Sequence, residues 1–229
     1  FLDGGELDQA ARKAHLASDL DTFMATGFDN LRRSRECGIT LVRDAGDRHG
    51  VNHRLRAQWR RHGLRVRSPG LALRKRGRYG SFMAEEIDTV DDVAPLVARR
   101  AAAGADDCKV LMTGIIDFAK AAVKGAPQFA DEEVAAIARA ARAHGLPTFA
   151  HCSGRPGIEQ ALAAGIDSIE HGFFLYDDAL ARMAERGTAW VPTWSPVAFV
   201  RDHGAMIGLG ASERDGVARI LDLHLENIA

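Results

Sequence analysis

The sequence of 229 residues predicts a parallel α/β fold, specifically a (β/α)8 barrel of the TIM type. Short runs rich in β-branched residues alternate with longer amphipathic stretches, which is the order of strands and helices in such folds. Polar residues collect at the carboxyl ends of several predicted strands, where barrel enzymes assemble their active sites. An open doubly wound sheet also fits the alternation, but the GxGxxG of a dinucleotide-binding sheet is missing after the first strand. The barrel is therefore favoured.

Six strands are predicted from apolar runs bounded by residues typical of turns. In chain order they are 38–46, 64–70, 108–114, 146–152, 166–172 and 188–194. The amphipathic stretches between them predict helices, several of which run into a glycine that can terminate them. These helices are 53–63, 90–104, 131–145, 157–165, 177–187 and 217–229. The recurring order of helix, glycine, strand and loop predicts parallel strands.

A closed barrel of this type needs eight strands, and only six are predicted. The sequence opens in a stretch with the character of a loop and closes within the helix 217–229. We therefore expect the first and last barrel strands to lie outside the chain. Residues 1–229 would then form one partial barrel domain that holds strands two to seven and is inactive by itself.

Composition argues against several classes of protein. The formal net charge of -1 gives no general affinity for nucleic acid or for anionic membranes. The basic run from Arg54 to Arg78 falls largely on the predicted helix 53–63, as an ordinary solvated face. No apolar run is long enough to span a bilayer, and FLDGGELDQAARK has no signal-peptide pattern. We expect a cytoplasmic protein without nucleic-acid or membrane partners, and leave open whether it forms a homo-oligomer.

The cysteines predict no disulfide and no metal motif. Cys37, Cys108 and Cys152 follow no CxxC spacing, which is typical of reduced and mostly buried thiols. Cys152 follows His151 directly, but neighbours on a strand face opposite sides. A nucleophile–base pair of these two residues is therefore rejected.

Two histidines end consecutive predicted strands, in TFAHCS and SIEHGF. A buried imidazole costs free energy unless it finds partners, so His151 and His171 need an explanation. Consecutive barrel strands are neighbours, and both rings could face one point at the carboxyl ends of the strands. Imidazole is a good ligand for zinc-like metals, so the pair predicts a metal site. Hydrogen-bonded structural histidines are the simpler alternative.

Lys109 lies in the apolar strand CKVLM, where an unpaired ammonium is expensive to bury. One interpretation pairs it with a buried carboxylate such as that of Asp44. The other gives it a lowered pKa, so that its free amine takes up carbon dioxide. The resulting carbamate would be an anionic ligand able to bridge two metal ions.

Five stretches resemble the amidohydrolase superfamily, above all its imidazolonepropionase-like, prolidase-like branch of zinc-dependent dipeptidases. They are GITLVRDAG, KVLMTG, GLPTFAHCSG, AGIDSIEHG and VPTW, and they occur in the order of the family. The resemblance implies that Lys109 is a carbamylated bridge between two divalent metals, with zinc expected, and that His151 and His171 hold the second metal. The HxH pair of the family would fall before Phe1, and its general-base aspartate would fall after Ala229.

The resemblance also implies an activity: hydrolysis of amide bonds, in dipeptides or N-acyl amino acids, by a metal-activated bridging hydroxide. The segment 71–83 is dense in Arg, Lys and Gly and predicts a loop over the strand ends. Within it Arg76, Arg78 and Tyr79 are candidates to bind a substrate carboxylate, although a plain charged loop also explains the composition. The Gly-rich stretch 195–213 is a candidate lid, in which His203 is either a substrate contact or a structural residue.

Two other functions stay open. One is a mononuclear cyclic-amide hydrolase or deaminase of the same fold, in which Lys109 is not carbamylated. The other is a catalytically inactive barrel that serves as a binding module.

Overall fold

The structure, a computed structural model, describes residues 9–228. Of the single domain predicted over 1–229, residues 1–8 and Ala229 lie outside this range, and so does most of the predicted opening loop. Within it the chain forms nine α-helices. They are α1 Gln9–Leu16, α2 Leu20–Glu36, α3 Val51–Arg60, α4 Val93–Ala102, α5 Asp131–Ala143, α6 Arg155–Ala164, α7 Asp177–Arg186, α8 Trp194–His203 and α9 Ala211–Glu226. Short 3₁₀ turns at Val90–Asp92 and Gly204–Ile207 precede α4 and follow α8.

Ten strands are present in the same range. They are β1 Leu41–Arg43, β2 Arg65–Arg67, β3 Ala72–Lys75, β4 Ala84–Ile87, β5 Cys108–Leu111, β6 Ile116–Asp117, β7 Ala122–Val123, β8 Thr148–Cys152, β9 Ser168–His171 and β10 Ala189–Val191. Six of them form a parallel sheet in the order β10-β9-β8-β5-β3-β4, and β1 pairs in parallel with β2. β6 and β7 form an antiparallel hairpin directly after β5.

The two parallel sheets join into one curved wall. β2 and β3 follow each other with four residues between them, and the backbone N–H of Asp106, just before β5, donates to the carbonyl oxygen of Ser68 at 2.9 Å. The wall therefore runs from β1 through β2 and β3 to β5, β8, β9 and β10. All six predicted strands and all six predicted helices are present, so the predicted β/α barrel architecture is confirmed.

The prediction of a loop over 71–83 was wrong for its first half. Ala72–Lys75 is β3, a strand inside the sheet, and the unpredicted β4 lies beside it. β3 was not predicted because its two charged residues, Arg74 and Lys75, are typical of a solvated segment. Both are neutralised locally, Arg74 by Glu86 and Lys75 by Glu133 at 2.5 Å, while Leu73 packs into the core. The candidate lid 195–213 is also largely helical, in α8 and the start of α9.

Apolar packing fixes the wall against its helices. The largest core lies between the outer face of the sheet and α4 to α7, and includes Val110, Ala150 and Ile169. A second core joins α2 and α3 to β2, and a third joins α8 and α9 to Phe173. Each fully buried Leu or Ile contributes roughly 2 kcal/mol. From Gln9 to Ile228, no helix has the length and apolar character to cross a membrane.

Candidate metal centre

The polar residues of the sheet lie on the face turned away from the main core. Register places Lys109 beside Phe149, and His151 beside Glu170. Paired residues of parallel strands share a face, and alternate residues along a strand change face. Val110 and Ala150 belong to the outer core, so Lys109, Phe149, His151 and Glu170 point to the inner side. A barrel brings such inward side chains together.

His171 reaches the inner side by an unusual backbone conformation. Its register partner is Cys152, which is buried in the outer core, so simple alternation would point His171 outward. The φ angle of His171 is 71°, in the left-handed region, which turns the side chain out of the alternation. Its ring centroid lies 4.7 Å from that of His151. The two histidines are thus brought together, although not from the equivalent strand positions that the sequence suggested.

Among the described residues, each imidazole has one nitrogen with a hydrogen-bond partner and one without. His151 Nε2 lies 3.3 Å from the carbonyl oxygen of Gly114, which can only accept, so this nitrogen carries the proton and Nδ1 keeps its lone pair. His171 Nδ1 lies 2.7 Å from Oγ1 of Thr193, and Nε2 is the ring nitrogen that has no hydrogen-bond partner among the described residues. The indole Nε1 of Trp190 donates to the carbonyl oxygen of His171 at 3.0 Å.

Burial keeps both rings neutral. Burial, with a smaller contribution from the charge of Lys109, lowers the pKa of His151 to about 4. Burial, with smaller contributions from His151 and Lys109, lowers the pKa of His171 to about 3. A neutral imidazole offers the lone pair that a metal ion requires. The two partly buried rings are therefore ready to act as ligands at neutral pH.

Lys109 is 3% exposed and stands out by what surrounds it. Its Nζ lies 4.6 Å from the ring centroid of Phe149. In the described part of the chain it forms no ion pair and no hydrogen bond through Nζ. Asp44, the predicted carboxylate partner, instead accepts hydrogen bonds from Ser68 Oγ at 3.1 Å and from the Gly46 backbone at 3.2 Å. Burial lowers the pKa of Lys109 to about 8.

An ion pair that sequence reasoning missed lies beside Lys109. Arg43 of β1 contacts Glu170 of β9 at 2.5 Å, and its guanidinium lies 4.2 Å from the ring centroid of Phe149. Glu170 also accepts from Ser168 Oγ at 3.0 Å. Alternation within SIEH was the available signal, because it places Ser168 and Glu170 on one face. Arg43 thus pairs with Glu170, the carboxylate whose charge interacts most strongly with Lys109.

Of the other predicted site residues, Tyr79 and Arg78 lie at or beside the centre, whereas the described contacts of Arg76 and His203 are elsewhere. Tyr79 is at the centre, with its ring 5.6 Å from that of His151, and burial raises its pKa. Arg78 lines a cavity of about 270 Å³ beside Tyr79 and donates to Ala126 O at 2.5 Å. Arg76 pairs with Asp88 at 3.2 Å and is largely exposed. His203 ends α8, with its ring 4.3 Å from that of Phe199 on the same helix.

The residues present suit part of a metal site. Two neutral imidazoles in an edge-on arrangement, each with one nitrogen that no described residue engages, are a donor pair for a zinc-like ion. Over residues 9–228, however, no group of three or more His, Cys, Asp and Glu side chains converges on one point. Among residues 9–228 the candidate ligands are therefore the two histidines, and Lys109 if its amine is converted to an anionic group.

Comparisons with known proteins give one family. A model of the amidohydrolase family matches residues 13–228. Uncharacterized proteins of Mycobacterium tuberculosis and Mycobacterium bovis are 32% identical over 189 residues, which cover 82% of this chain and 45% of each relative. The chain thus spans about half the length of the curated relatives it matches.

Solved structures resemble the fold over nearly the whole chain. A Xaa-Pro dipeptidase with bound methionine in the active site has a TM-score of 0.74 and 26% identity, and the match covers 91% of this chain and 56% of the dipeptidase. A prolidase complexed with N-methylphosphonate-L-proline gives 0.75 at 24% identity, over 94% and 57% of the two chains. Ochratoxinase of A. niger gives 0.76 at 24%, over 93% and 54%.

Proposed function

The chain belongs to the amidohydrolase family, and from this premise we propose that it acts in a metal-dependent hydrolase of amide bonds. The proposal rests on one observation: the ring centroids of His151 and His171 lie 4.7 Å apart, and each neutral ring has one nitrogen that no described residue engages. Members of this family typically bind metal ions. Two uncharged rings turned toward each other at strand ends add little to the core, but they suit a shared ligand.

His151 through Nδ1 and His171 through Nε2 would hold the ion, with zinc expected. When bound, divalent ions lower the pKa of a coordinated water toward neutrality and polarise a carbonyl oxygen. The chain's own contribution is to fix the two rings. Gly114 O holds the ring of His151, and Thr193 Oγ1 holds that of His171.

Lys109 would complete the centre as a carbamate. Its neutral amine would attack the carbon of CO₂: an N–C bond forms, the electron pair of one C=O π bond moves to oxygen, and one N–H proton leaves to solvent, so that an anionic carboxylate-like group remains. A pKa of about 8 leaves roughly a tenth of the amine neutral at pH 7. Burial away from water favours loss of the ammonium charge, and the carbamate would then serve as an anionic ligand shared by two metal ions.

Dipeptides or N-acyl amino acids are the proposed substrates. Two of the similar structures are named a Xaa-Pro dipeptidase and a prolidase, so a peptide with a free carboxylate is a reasonable probe. Tyr79 adjoins His151, and the Arg78 side chain lines the neighbouring cavity. A guanidinium and a phenol hydroxyl at this edge suit a substrate carboxylate.

A mononuclear cyclic-amide hydrolase or deaminase is the second candidate. It is favoured by the placement of Lys109 Nζ over the Phe149 ring, because the face of an aromatic ring attracts the ammonium group of an unmodified lysine. In that case the two histidines alone contribute to one ion, and Lys109 tunes the charge of the site.

Metal content distinguishes these functions. The full-length protein, purified with bicarbonate present, is measured by elemental analysis beside Lys109→Ala and the exposed control Lys120→Ala. Two metal equivalents that fall to one or none only in Lys109→Ala support the carbamate-bridged centre and justify a dipeptide screen. One metal equivalent per chain in both the wild type and Lys109→Ala supports the mononuclear enzyme. A metal-free wild-type protein overturns the hydrolase and leaves the binding module.

A further inference from the structure

His171 is held in a strained conformation from more than one side. Across the described residues, four that are not glycine have positive φ: Ala121, His171, Phe174 and Thr193. Two of these four, His171 at 71° and Thr193 at 50°, are joined by the 2.7 Å hydrogen bond between Nδ1 and Oγ1. Left-handed backbone is unfavourable for an L-residue and persists where surrounding contacts impose it.

The backbone of His171 has its own support. Trp190 Nε1 donates to the carbonyl oxygen of His171, and the N–H of Gly172 donates to Cys152 O at 3.1 Å. A Cβ at position 172 would lie 2.5 Å from Trp190 Nε1, so the glycine is what allows the indole to approach. The two contacts fix the peptide on which the imidazole is turned inward.

His224 supports Thr193 from the last helix. It is 1% exposed within α9, and its Nε2 donates to the carbonyl oxygen of Pro192 at 2.8 Å. Its ring also packs edge-on against Trp190, with the centroids 5.2 Å apart. Because Pro192 directly precedes Thr193, α9 fixes the turn that presents the threonine hydroxyl to His171.

We propose that Trp190, Thr193 and His224, together called the His171 cradle, are positioning residues that hold the imidazole of His171 facing His151 with Nε2 free. The inference rests on the proposed function, because it assigns the cradle to a metal ligand. A ligand held by a hydrogen bond to its other nitrogen keeps one ring orientation, and loss of such bonds typically lowers metal affinity about 10- to 100-fold.

Thr193→Val is the central test, with Thr193→Ser as its rescue. Valine keeps the β-branch and therefore the backbone strain, but it lacks the hydroxyl, whereas serine keeps the hydroxyl. Thr188→Val, directly before β10, is the matched control, because no described residue forms a hydrogen bond with the Thr188 side chain. We expect about 10- to 100-fold weaker zinc binding in Thr193→Val, measured by chelator competition on the full-length protein. Thr193→Ser and Thr188→Val should stay within about threefold of wild type.

A second measurement needs no metal. The nuclear Overhauser effect between ring protons of His151 and His171 reports their proximity in the metal-free protein. It should be lost in Thr193→Val and retained in Thr193→Ser. Trp190→Phe, which removes only the indole donor to His171 O, is the second variant if valine prevents folding, and it should weaken the same signal.

The outcomes separate the two proposals. If the wild type binds zinc and Thr193→Val and Trp190→Phe bind it with the same affinity, the cradle is overturned and the hydrolase proposal stands. A wild type that binds no zinc overturns the hydrolase, and the ring-proton signal then decides the cradle. An unaltered signal in both variants overturns it, and a signal lost in Thr193→Val but kept in Thr193→Ser supports it.

Discussion

At the scale of single residues, the amine of Lys109 is the costliest group of the centre. It is almost fully buried and lies over an aromatic ring. Glu170, the carboxylate whose charge interacts most strongly with it, already forms an ion pair with Arg43. A buried ammonium without an ion pair destabilises the folded state, so its presence indicates a role other than stability.

Replacing Lys109 with methionine should therefore stabilise the metal-free protein while abolishing its share of metal binding. The pKa of Lys109 in the folded protein is about 8, below its ordinary value of 10.5. The cost is complete below pH 8, where both states carry the proton. It is relieved as pH rises from 8 to 10.5, because the folded state is then neutral while the unfolded state stays charged. We expect Lys109→Met to raise the free energy of unfolding at pH 7 by on the order of 2 kcal/mol, measured by urea denaturation.

The comparison with Lys120→Met, at an exposed lysine, separates this effect from the general consequences of adding a methionine. The advantage of Lys109→Met should shrink as the pH approaches 10. An advantage that is the same at pH 7 and pH 10 would show that the ammonium charge is not its cause.

His151 and Lys109 could be predicted from the sequence, because a polar residue in an apolar run is visible by itself. The inward turn of His171 could not, because it depends on a positive φ that alternation does not foresee. SIEHG contained a hint in its glycine, which follows the histidine and admits Trp190. Glu170 was missed because its partner Arg43 is 127 positions away in the chain.

At the scale of elements, strand prediction succeeded where the flanking run was mainly apolar and bounded by turn residues, and it failed where consecutive charges interrupt the run. β5 and β8 lie in mainly apolar runs and were found, while β3 and β4 carry Arg74, Lys75 and Glu86 and were not. Hydrophobic periodicity alone cannot tell a charge that faces solvent from one that faces a partner. The β6–β7 hairpin was also missed, because its two-residue strands are too short for a periodic signal.

The hairpin makes α9 sensitive to a single methyl group. A Cβ at Gly216 would overlap the carbonyl oxygen of Phe118, between β6 and β7, and a backbone atom cannot move aside cheaply. Gly216→Ala should lower the free energy of unfolding by about 1–3 kcal/mol, even though alanine favours helix formation. Hydrogen exchange should rise in residues 116–123 in particular, because the hairpin must move away from α9.

Gly210→Ala is the control for this change. Gly210 precedes α9 with φ of -69°, and an added Cβ would meet only Glu213 Oε2 at an ordinary 3.6 Å. It should leave both measurements near wild type. A Gly216→Ala protein as stable as Gly210→Ala would mean that α9 and the hairpin are not in the close contact described.

At the scale of the whole molecule, one ion pair ties distant parts of the wall together. Arg43 lies on β1, at one end of the curved wall, and Glu170 lies on β9, next to the other end. Their side chains are 29% and 13% exposed, so solvent screens the pair only in part. The contact crosses the inner side beside Phe149 and brings the two ends toward the centre that holds Lys109 and the histidines.

A double-mutant cycle of Arg43→Met and Glu170→Gln measures this link. Each single change leaves one charge without its partner in a partly buried place, so we expect a coupling energy of about 1–3 kcal/mol. The exposed pair Arg32 and Glu36 on α2, at 2.7 Å, is the control, and its coupling should stay below about 0.5 kcal/mol. Repeating both cycles in 1 M salt should remove most of the control coupling and keep most of the interior one, because screening acts mainly on exposed charges. Equal coupling energies for the two pairs, or an interior coupling abolished by salt, would mean that Arg43 and Glu170 meet in solvent and do not connect the ends of the wall.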